Sequence, residues 1–231
     1  DLGFRNEKIF APWDVIDNRF FAKYSTREIS PHRKYFLCVS RLLKRKNLMN
    51  LIKSFSDYQI RGGQWGLKII GSGDQYENLV KLSERVCNNS DFEIISWLQI
   101  DQLRKYYKEA SAFILPSYFD NWGLVVNEAI ASGLPCIVSK NCGCTVDLIS
   151  NNKSGFIFDP FKKNELTKLM HKIENQTKEE RAKMIRLANI NLEKFDLNNF
   201  AINLKKAINE AIRNPKYSLF SRIFLRITSL I

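Results

Sequence analysis

Long apolar runs are missing from this sequence of 231 residues, although 45% of the residues are hydrophobic. A helix that crosses a bilayer needs about 20 consecutive apolar residues, so no segment is expected to span a membrane. The first residues lack the basic and then apolar order of a signal peptide, and the chain opens on Asp1 rather than on methionine. The length and the hydrophobic share predict a substantial core. The absences predict a chain that is at most bound to a membrane surface and whose upstream part is missing.

Histidine is scarce, and the cysteines do not form an even set. The two histidines, His32 and His171, are far apart, and the five cysteines do not fit a disulfide framework. Cys142 and Cys144 alone lack the spacing of a zinc site, so ordinary turn cysteines are the favoured interpretation. We therefore expect a reducing compartment and no metal.

Acidic residues are in the minority: 24 Asp and Glu stand against 36 Lys and Arg, which gives a net charge of +12. The excess is concentrated in residues 161–231, which hold 15 Lys and Arg against 7 Asp and Glu. Such a balance favours anionic partners, namely nucleic acid, anionic lipid or a phosphate-bearing ligand. A basic, solvated face on a soluble protein is the simpler alternative.

Short apolar runs alternate with amphipathic stretches along most of the chain. The runs are β-branched or aromatic, as buried parallel strands are, and cover residues 35–40, 67–70, 92–95, 112–115, 136–138 and 156–158. Helical spacing of apolar residues marks 47–58, 75–87, 102–109 and 124–132, and after Pro160 only helices are expected, over 162–175, 178–194 and 198–213. The alternation predicts an α/β fold with a Rossmann-like, doubly wound parallel sheet.

Two predicted strand ends carry residues suited to anions, and ligands of such sheets bind at the carboxyl ends of strands. Ser40-Arg41-Leu42-Leu43-Lys44-Arg45-Lys46 places cations beside a helix N-terminus, where they can neutralise a diphosphate. Gly71-Ser72-Gly73 is a glycine turn that lets a ligand approach the backbone. The alternatives are a solvated basic loop for the first segment and an ordinary turn for the second.

The third strand end is the most informative. Asp120 lies in the turn after an apolar run, and Gly123 opens a helix that contains Glu128. The amides of Gly123, Leu124 and Val125 are then free donors for phosphate oxygens. Asp120 and Glu128 can accept hydrogen bonds from sugar hydroxyls. Because a carboxylate on the apolar face of a helix needs a partner, the position of Glu128 favours a functional role.

Here the chain resembles glycosyltransferase family 4, whose enzymes combine two Rossmann-like domains in the GT-B arrangement. The family signature is a Pro-Ser strand end, then two glutamates separated by seven residues across a Gly-Leu-Val helix start, then a Gly-x-Pro turn. Pro116-Ser117, Asp120, Gly123-Leu124-Val125, Glu128 and Gly133-Leu134-Pro135 stand in that register. Four further segments are similar to family segments: Val15 to Phe20, Ser40-Arg41-Leu42 with Lys46, Ile70 to Gly73, and Ser154-Gly155-Phe156.

The resemblance implies the donor-binding half of a retaining glycosyltransferase, which transfers a sugar from a nucleotide-diphosphate sugar to a glycan or lipid-linked acceptor. It implies no cofactor and no metal, because Arg41 and Lys46 would hold the diphosphate. Asp120 would bind the hexose and Glu128 the ribose. The other implied donor contacts are Gly71, Gly73, Leu98, Ile100, Gly123, Leu124 and Val125, with the base near residues 97–100.

Three positions depart from the family pattern. Asp120 replaces a glutamate, Ser40 replaces a glycine, and Trp97 lies where small residues are usual. The shorter carboxylate of Asp120 reduces its reach toward the sugar, and the other two changes reshape the pocket.

The resemblance also implies how the chain is divided. Residues 1–33 would be an interdomain segment, 34–199 the Rossmann-like donor-binding domain and 200–231 a C-terminal helical tail, while the N-terminal acceptor domain is absent. Within the tail, residues 217–231 carry an apolar stripe that either packs on that missing domain or lies on an anionic membrane surface. We therefore expect a cytoplasmic enzyme, with attachment at the inner face of a membrane as the alternative.

A binding module is the rival to an enzyme. Such a module would bind a nucleotide sugar without catalysis, or would bind nucleic acid. Nucleic acid is disfavoured because the aromatic residues lie in predicted strands and helices rather than between basic residues on an exposed stripe.

Overall fold

The computed structural model describes residues 9–22, 34–87 and 90–213. Its centre is a six-stranded sheet, and all six predicted strands are present. The strands are β1 (Tyr35–Val39), β2 (Gly66–Ile70), β3 (Phe92–Ile95), β4 (Ala112–Leu115), β5 (Cys136–Ser139) and β6 (Phe156–Phe158).

All strand pairs in the sheet are parallel, and the spatial order is β3-β2-β1-β4-β5-β6. The chain moves outward from β1 to β3, then returns to the other side of β1 with β4. This order is that of a doubly wound Rossmann sheet, so the predicted fold class is confirmed. The strand order reverses between β1 and β4, which is where such sheets bind ligands.

Helices cover both faces of the sheet. One layer holds α2 (Leu48–Ile60), α3 (Tyr76–Val86) and α7 (Glu165–Glu174). The other holds α1 (Asn18–Ala22), α4 (Ile100–Glu109), α5 (Leu124–Ala131), α6 (Thr145–Leu148) and α8 (Lys178–Leu192), and α9 (Leu197–Arg213) follows.

Two separate cores follow from the alternation of side chains along each strand. In β1, Leu37 packs into the core beneath α5 and α8, while Phe36 packs into the core beneath α2 and α7. Successive residues of a strand point to opposite faces, so a strand covered on both sides must be apolar throughout. The unbroken apolar runs of β4 and β5 have the same cause, and both strands are fully buried.

Three short helices were not predicted: α1, α6 and a 3-10 turn over Lys44–Lys46. Each is too short to repeat a helical period, so the spacing of apolar residues carries no signal for it. The 3-10 turn matters most, because it sets the direction of Lys46.

The segment before the sheet contacts the helices that follow it. The rings of Trp13 and Phe200 meet edge to face at 5.6 Å, and the Asn18 side-chain amide donates to the carbonyl of Phe195 at 3.2 Å. No residue of α9 is buried. Within the described ranges, none of the helices is both long and apolar enough to cross a membrane. The predicted tail stripe, residues 217–231, lies outside the described residues.

Candidate functional site

The loop after β1 turns back on itself and buries one of its lysines. The 3-10 turn over Lys44–Lys46 ends at Asn47, whose φ of 59° lies in the left-handed region that asparagine tolerates better than most residues. The Asn47 side-chain amide donates to the carbonyl of Pro116 at 3.0 Å, which joins this loop to the end of β4. Lys46 is buried as a result, while Arg41 remains exposed.

Lys46 and Asp120 form an ion pair at the point where the strand order reverses. The Lys46 ammonium contacts Asp120 Oδ2, and only 10% and 12% of the two side chains are exposed. A further bond fixes the loops around the pair, because the amide of Tyr118 donates to the carbonyl of Arg45 at 2.9 Å. The sequence motifs placed these two residues near each other but gave no sign that they pair directly.

The two glycines after β2 are packed against the loop after β1. The amide of Leu42 donates to the carbonyl of Ser72 at 2.8 Å. A Cβ on Gly71 would lie 1.9 Å from the carbonyl oxygen of Ser40, and one on Gly73 would lie 2.4 Å from that of Leu42. The space beside these two glycines is therefore filled by the backbone of the loop after β1.

The N-terminus of α5 lies on the same edge of the sheet. Gly123 is its N-cap residue at φ 100°, and no side chain caps the helix. The first amides of a helix have no carbonyl one turn before them, so they are donors for an outside acceptor. Leu124 is exposed and Val125 is half-buried, which leaves this end of the helix open to solvent.

Glu128 has a partner inside the protein. The hydroxyl of Tyr107, on α4, donates to Glu128 Oε2 at 2.7 Å. Burial raises the pKa of Glu128 above its ordinary value, and the hydrogen bond from Tyr107 opposes that rise. Burial beside this carboxylate also raises the pKa of Tyr107 well above the ordinary value. The partner that the sequence argument required for Glu128 is thus Tyr107, at least for one oxygen.

Asn127 is a buried contact that the sequence analysis missed. Its side chain accepts from the Trp122 indole at 2.9 Å and donates to the carbonyl of Asp14 at 3.2 Å. Two hydrogen bonds from one buried amide thereby connect α5, its preceding turn and the segment before the sheet. Only the polar residue on an otherwise apolar helix face could have indicated this role in advance.

The candidates for the base-binding site lie between β3 and α4. Trp97 and Ile100 are exposed, while Leu98 packs against the core beneath α5. Leu98 therefore supports the fold, and Trp97 and Ile100 offer the free apolar surface of this stretch.

Two cysteines, Cys142 and Cys144, lie in the loop beside Asp120. The strand-like bridge of Asp120 with Cys142 brings the β5–α6 loop against the β4–α5 loop. Burial raises the pKa of the Cys142 thiol to about 12, and burial also raises the pKa of Cys144. Across the parts of the chain that the structure covers, no group of three or more His, Cys, Asp or Glu is placed to hold a metal ion.

The candidate residues thus share one edge of the sheet. Lys46 and Asp120 are in contact, and the remaining candidates follow the carboxyl ends of β1, β2, β3 and β4: Arg41, Gly71, Gly73, Leu98, Ile100, Gly123, Leu124, Val125 and Glu128.

Sequence comparison identifies relatives of this chain. An uncharacterized glycosyltransferase of Haemophilus influenzae is 32% identical over 136 residues, which are 58% of this chain and 38% of the relative. The sulfoquinovosyl transferase SQD2 of Arabidopsis thaliana is 30% identical over 192 residues, which are 81% of this chain and 34% of the relative. The chain thus spans little more than a third of the length of these two relatives.

Structural comparison gives the same architecture. The alpha,alpha-trehalose-phosphate synthase (UDP-forming) of Burkholderia vietnamiensis superposes with a TM-score of 0.75 at 14% identity, over 88% of this chain and 52% of that protein.

The sequence model of the family described as glycosyl transferases group 1 matches residues 23–189, which is more than half of the chain. The match includes the β1 loop, the glycine turn and the β4–α5 loop that carry the candidate residues. The chain therefore belongs to the glycosyl transferases group 1 family.

Proposed function

We propose that this chain is the donor-binding domain of a retaining GT-B glycosyltransferase of family 4. It would transfer a sugar from a nucleotide-diphosphate sugar to a glycan or lipid-linked acceptor. The observation that carries the proposal is the nearly buried Lys46–Asp120 pair, because it combines a phosphate-binding cation with a hydroxyl-binding carboxylate at the reversal of strand order.

The pair can serve both parts of the donor at once. An ammonium group has three hydrogen-bond donors, so Lys46 can keep its contact with Asp120 while it binds a phosphate oxygen. The second oxygen of Asp120 then accepts from a sugar hydroxyl. Because Asp120 already offsets the charge of Lys46, the exposed Arg41 supplies the additional cation that a diphosphate needs.

The main requirement of the reaction is that negative charge on the departing diphosphate is stabilised. The bond between the anomeric carbon and the diphosphate oxygen breaks, a bond from that carbon to the acceptor oxygen forms, and the proton of the acceptor hydroxyl passes to the departing diphosphate. Arg41, Lys46 and the open N-terminus of α5 would stabilise the negative charge on the leaving group, since fixed donors of this kind need little reorganisation. We assign this role to side chains and helix amides rather than to a metal or a cofactor.

Glu128 would bind the ribose of the donor. Tyr107 holds Oε2 in place, which leaves Oε1 for a ribose hydroxyl. The base would lie against Trp97 and Ile100, whose side chains are exposed. The UDP-forming enzyme among the structural neighbours is consistent with a nucleotide donor.

The acceptor domain, the tail and the location belong to the same proposal. Because the chain covers little more than a third of its relatives, we propose that an N-terminal domain completes the enzyme and that residues 200–231 form a tail beside it. We also propose that the enzyme is cytoplasmic and attaches to the inner face of a membrane. The excess of Lys and Arg in residues 161–231 supports attachment to an anionic surface.

The decisive experiment measures binding and turnover with a panel of nucleotide sugars and nucleotide diphosphates, using the full-length protein. Arg41→Ala and Lys46→Ala should each weaken binding of the nucleotide diphosphate by about 1.5–3 kcal/mol, because each removes a charge-assisted hydrogen bond. Lys44→Ala is the matched control, since Lys44 lies in the same basic turn and is exposed. Its affinity should stay at the wild-type value.

The outcomes separate the alternatives. Equal affinities for wild type, Arg41→Ala and Lys46→Ala in calorimetry would place the phosphates elsewhere. Because Lys46→Ala leaves Asp120 buried without its partner, its fold must be checked by circular dichroism, and Arg41→Ala carries the test if that variant unfolds. Donor binding without hydrolysis or transfer would favour a non-catalytic module.

A further inference from the structure

A groove runs along the outer side of Asp120. It lies between the loop after β4 and the loop after β5, is open to solvent along its length, and offers about 620 Å³ of space. Small-molecule sites commonly enclose about 300–1,000 Å³, so the groove is large enough for a ligand. Its lining consists of Tyr118, Phe119, Asp120, Asn121, Lys140, Asn141, Cys142, Gly143 and Val146.

Aromatic rings are unusually exposed at this groove. Phe119, which lines the groove, is 58% exposed, and Phe161, from the loop after β6 and beside the lining residue Tyr118, is 71% exposed. The rings of Tyr118 and Phe161 are stacked, with centroids 5.2 Å apart and planes at 17°. Large apolar side chains that gather at the surface beside polar groups mark a binding surface more often than isolated ones do.

The polar groups of the groove are amides that both donate and accept. Asn141 donates through its side chain to the carbonyl of Tyr118 at 2.9 Å, so its side-chain oxygen remains for a hydroxyl donor. Asn121 is exposed. The charges are compensated within the protein, because Lys140 pairs with Asp159 at 2.8 Å and Asp120 pairs with Lys46. Such a lining suits a neutral, hydroxyl-rich ligand better than an anion.

The two walls are held together by backbone contacts. The amide of Asp120 donates to the carbonyl of Asn141 at 3.2 Å, and the amide of Gly143 donates back to the carbonyl of Asp120 at 3.1 Å. A Cβ on Gly143 would lie 2.0 Å from the carbonyl oxygen of Asn121, so the walls are as close as backbone allows. A groove of fixed shape binds its ligand with less loss of conformational entropy.

We propose that this groove binds a sugar ring of the acceptor glycan. A sugar ring presents C–H groups on its faces and hydroxyls around its edge, which matches the exposed faces of Phe119 and Phe161 and the amides of Asn121 and Asn141. The inference rests on the proposed function, because Asp120 forms a wall of the groove and would also contact the donor sugar. An acceptor in the groove therefore lies next to the sugar that is transferred.

The test uses the full-length protein on a printed array of defined oligosaccharides. Phe119→Ala and Phe161→Ala should each lower array binding at least about tenfold, whereas Phe161→Trp, which keeps an aromatic face, should retain it. Ile60→Ala is the matched control, because Ile60 is an exposed apolar residue at the far end of α2 and should bind as wild type does. Both alanine variants remove exposed side chains, so we expect them to fold.

Two results overturn the inference. One is array binding by both alanine variants at the wild-type level, and the other is a wild-type protein that binds no oligosaccharide on the array. If the wild type binds no oligosaccharide and both alanine variants also have a lower thermal midpoint, another part of the protein covers the two rings. Calorimetry with nucleotide diphosphates is run in parallel. If the protein binds the nucleotide but the alanine variants bind the array as the wild type does, the groove is rejected and the donor site is not.

Discussion

At the residue scale, the charged groups of the candidate site differ in how they are held. Lys46 and Asp120 offset each other in a nearly buried pair, and Arg41 faces solvent. Among the described residues, the hydrogen bond to the Glu128 side chain comes from a neutral group, the hydroxyl of Tyr107. A partly buried carboxylate with a neutral partner costs stability when it is ionised, and residues of this kind are kept for function more often than for folding.

The first prediction concerns the pH dependence of stability at Glu128. Its folded-state pKa lies above the ordinary 4.5, so the folded protein binds the proton more tightly than the unfolded chain does. This contribution favours the folded state at low pH and is lost as the pH rises through the folded-state pKa. Glu128→Gln keeps an acceptor for Tyr107 but removes the charge. It should therefore raise the free energy of unfolding at pH 7 to 8, by about 1.4 kcal/mol for every tenfold by which the folded protein binds this proton more tightly.

Urea denaturation between pH 4 and 8 measures this effect. The gain should shrink toward pH 4, and Glu84→Gln, which changes an exposed carboxylate on α3, should show no such trend. A constant difference between wild type and Glu128→Gln at every pH would contradict the prediction. Donor binding should fall in the same variant, because stability is then gained at the expense of a ribose contact.

At the element scale, the sequence predicts the long elements well and the short ones poorly. All six strands are present. Burial on both faces explains the apolar runs of β1, β4 and β5, whereas the edge strand β3 has no buried residue. Residue 100 begins α4, two residues before the expected start, because an extended Gln99 precedes the helix. The 3-10 turn at Lys46 and the pairing with Asp120 could not be predicted, since both depend on contacts between loops that are 74 residues apart.

Glycine positions show the same limit. The Gly71-Ser72-Gly73 turn was predicted to bring a ligand to the backbone, yet the Cβ positions of its glycines are occupied by the loop after β1. Sequence reveals that close approach is required, while only the structure reveals what approaches. Tyr107 is comparable: its place on an amphipathic helix indicates burial, and nothing local indicates the partner Glu128.

The second prediction concerns that close approach. A Cβ on Gly73 would lie 2.4 Å from the oxygen and 2.9 Å from the nitrogen of Leu42, so Gly73→Ala must displace the loop that carries Arg41 and Lys46. We expect a loss of about 1–3 kcal/mol in the free energy of unfolding, together with weaker nucleotide binding. Gly62→Ala is the control, because Gly62 has a φ of 88° but open space around its Cβ position.

The comparison separates crowding from backbone strain. Gly62→Ala should lower the free energy of unfolding by only about 1 kcal/mol, the cost of a left-handed conformation, and should leave nucleotide binding unchanged. Equal losses of stability in the two variants, or wild-type nucleotide binding by Gly73→Ala, would show that the loop after β1 adapts freely.

At the scale of the whole molecule, the first and last described segments meet on one side of the sheet. Trp13 contacts Phe200, Asn18 bonds to Phe195, and the ring of Phe195 lies 5.1 Å from that of Trp122. Asn127 adds a bond to Asp14. The residues predicted to lie outside the sheet domain, before residue 34 and after residue 199, are thus connected to each other and to the turn that opens α5.

The last prediction concerns the contact between Trp13 and α9. None of the residues of α9 is buried, and Phe200 in this helix meets the ring of Trp13 edge to face. Trp13→Ala removes an aromatic pair that contributes about 0.5–1.5 kcal/mol beyond the area it covers. Because weakly packed elements open on their own, amide exchange over residues 197–213 should become several-fold faster while β1 and β4 stay protected. Hydrogen exchange with mass spectrometry measures both, with Trp97→Ala as the control because Trp97 is exposed at the other end of the strand order. Unchanged exchange in α9 after Trp13→Ala would mean that other contacts hold this helix, and equal acceleration in β1 would mean that the variant lowers the stability of the whole domain.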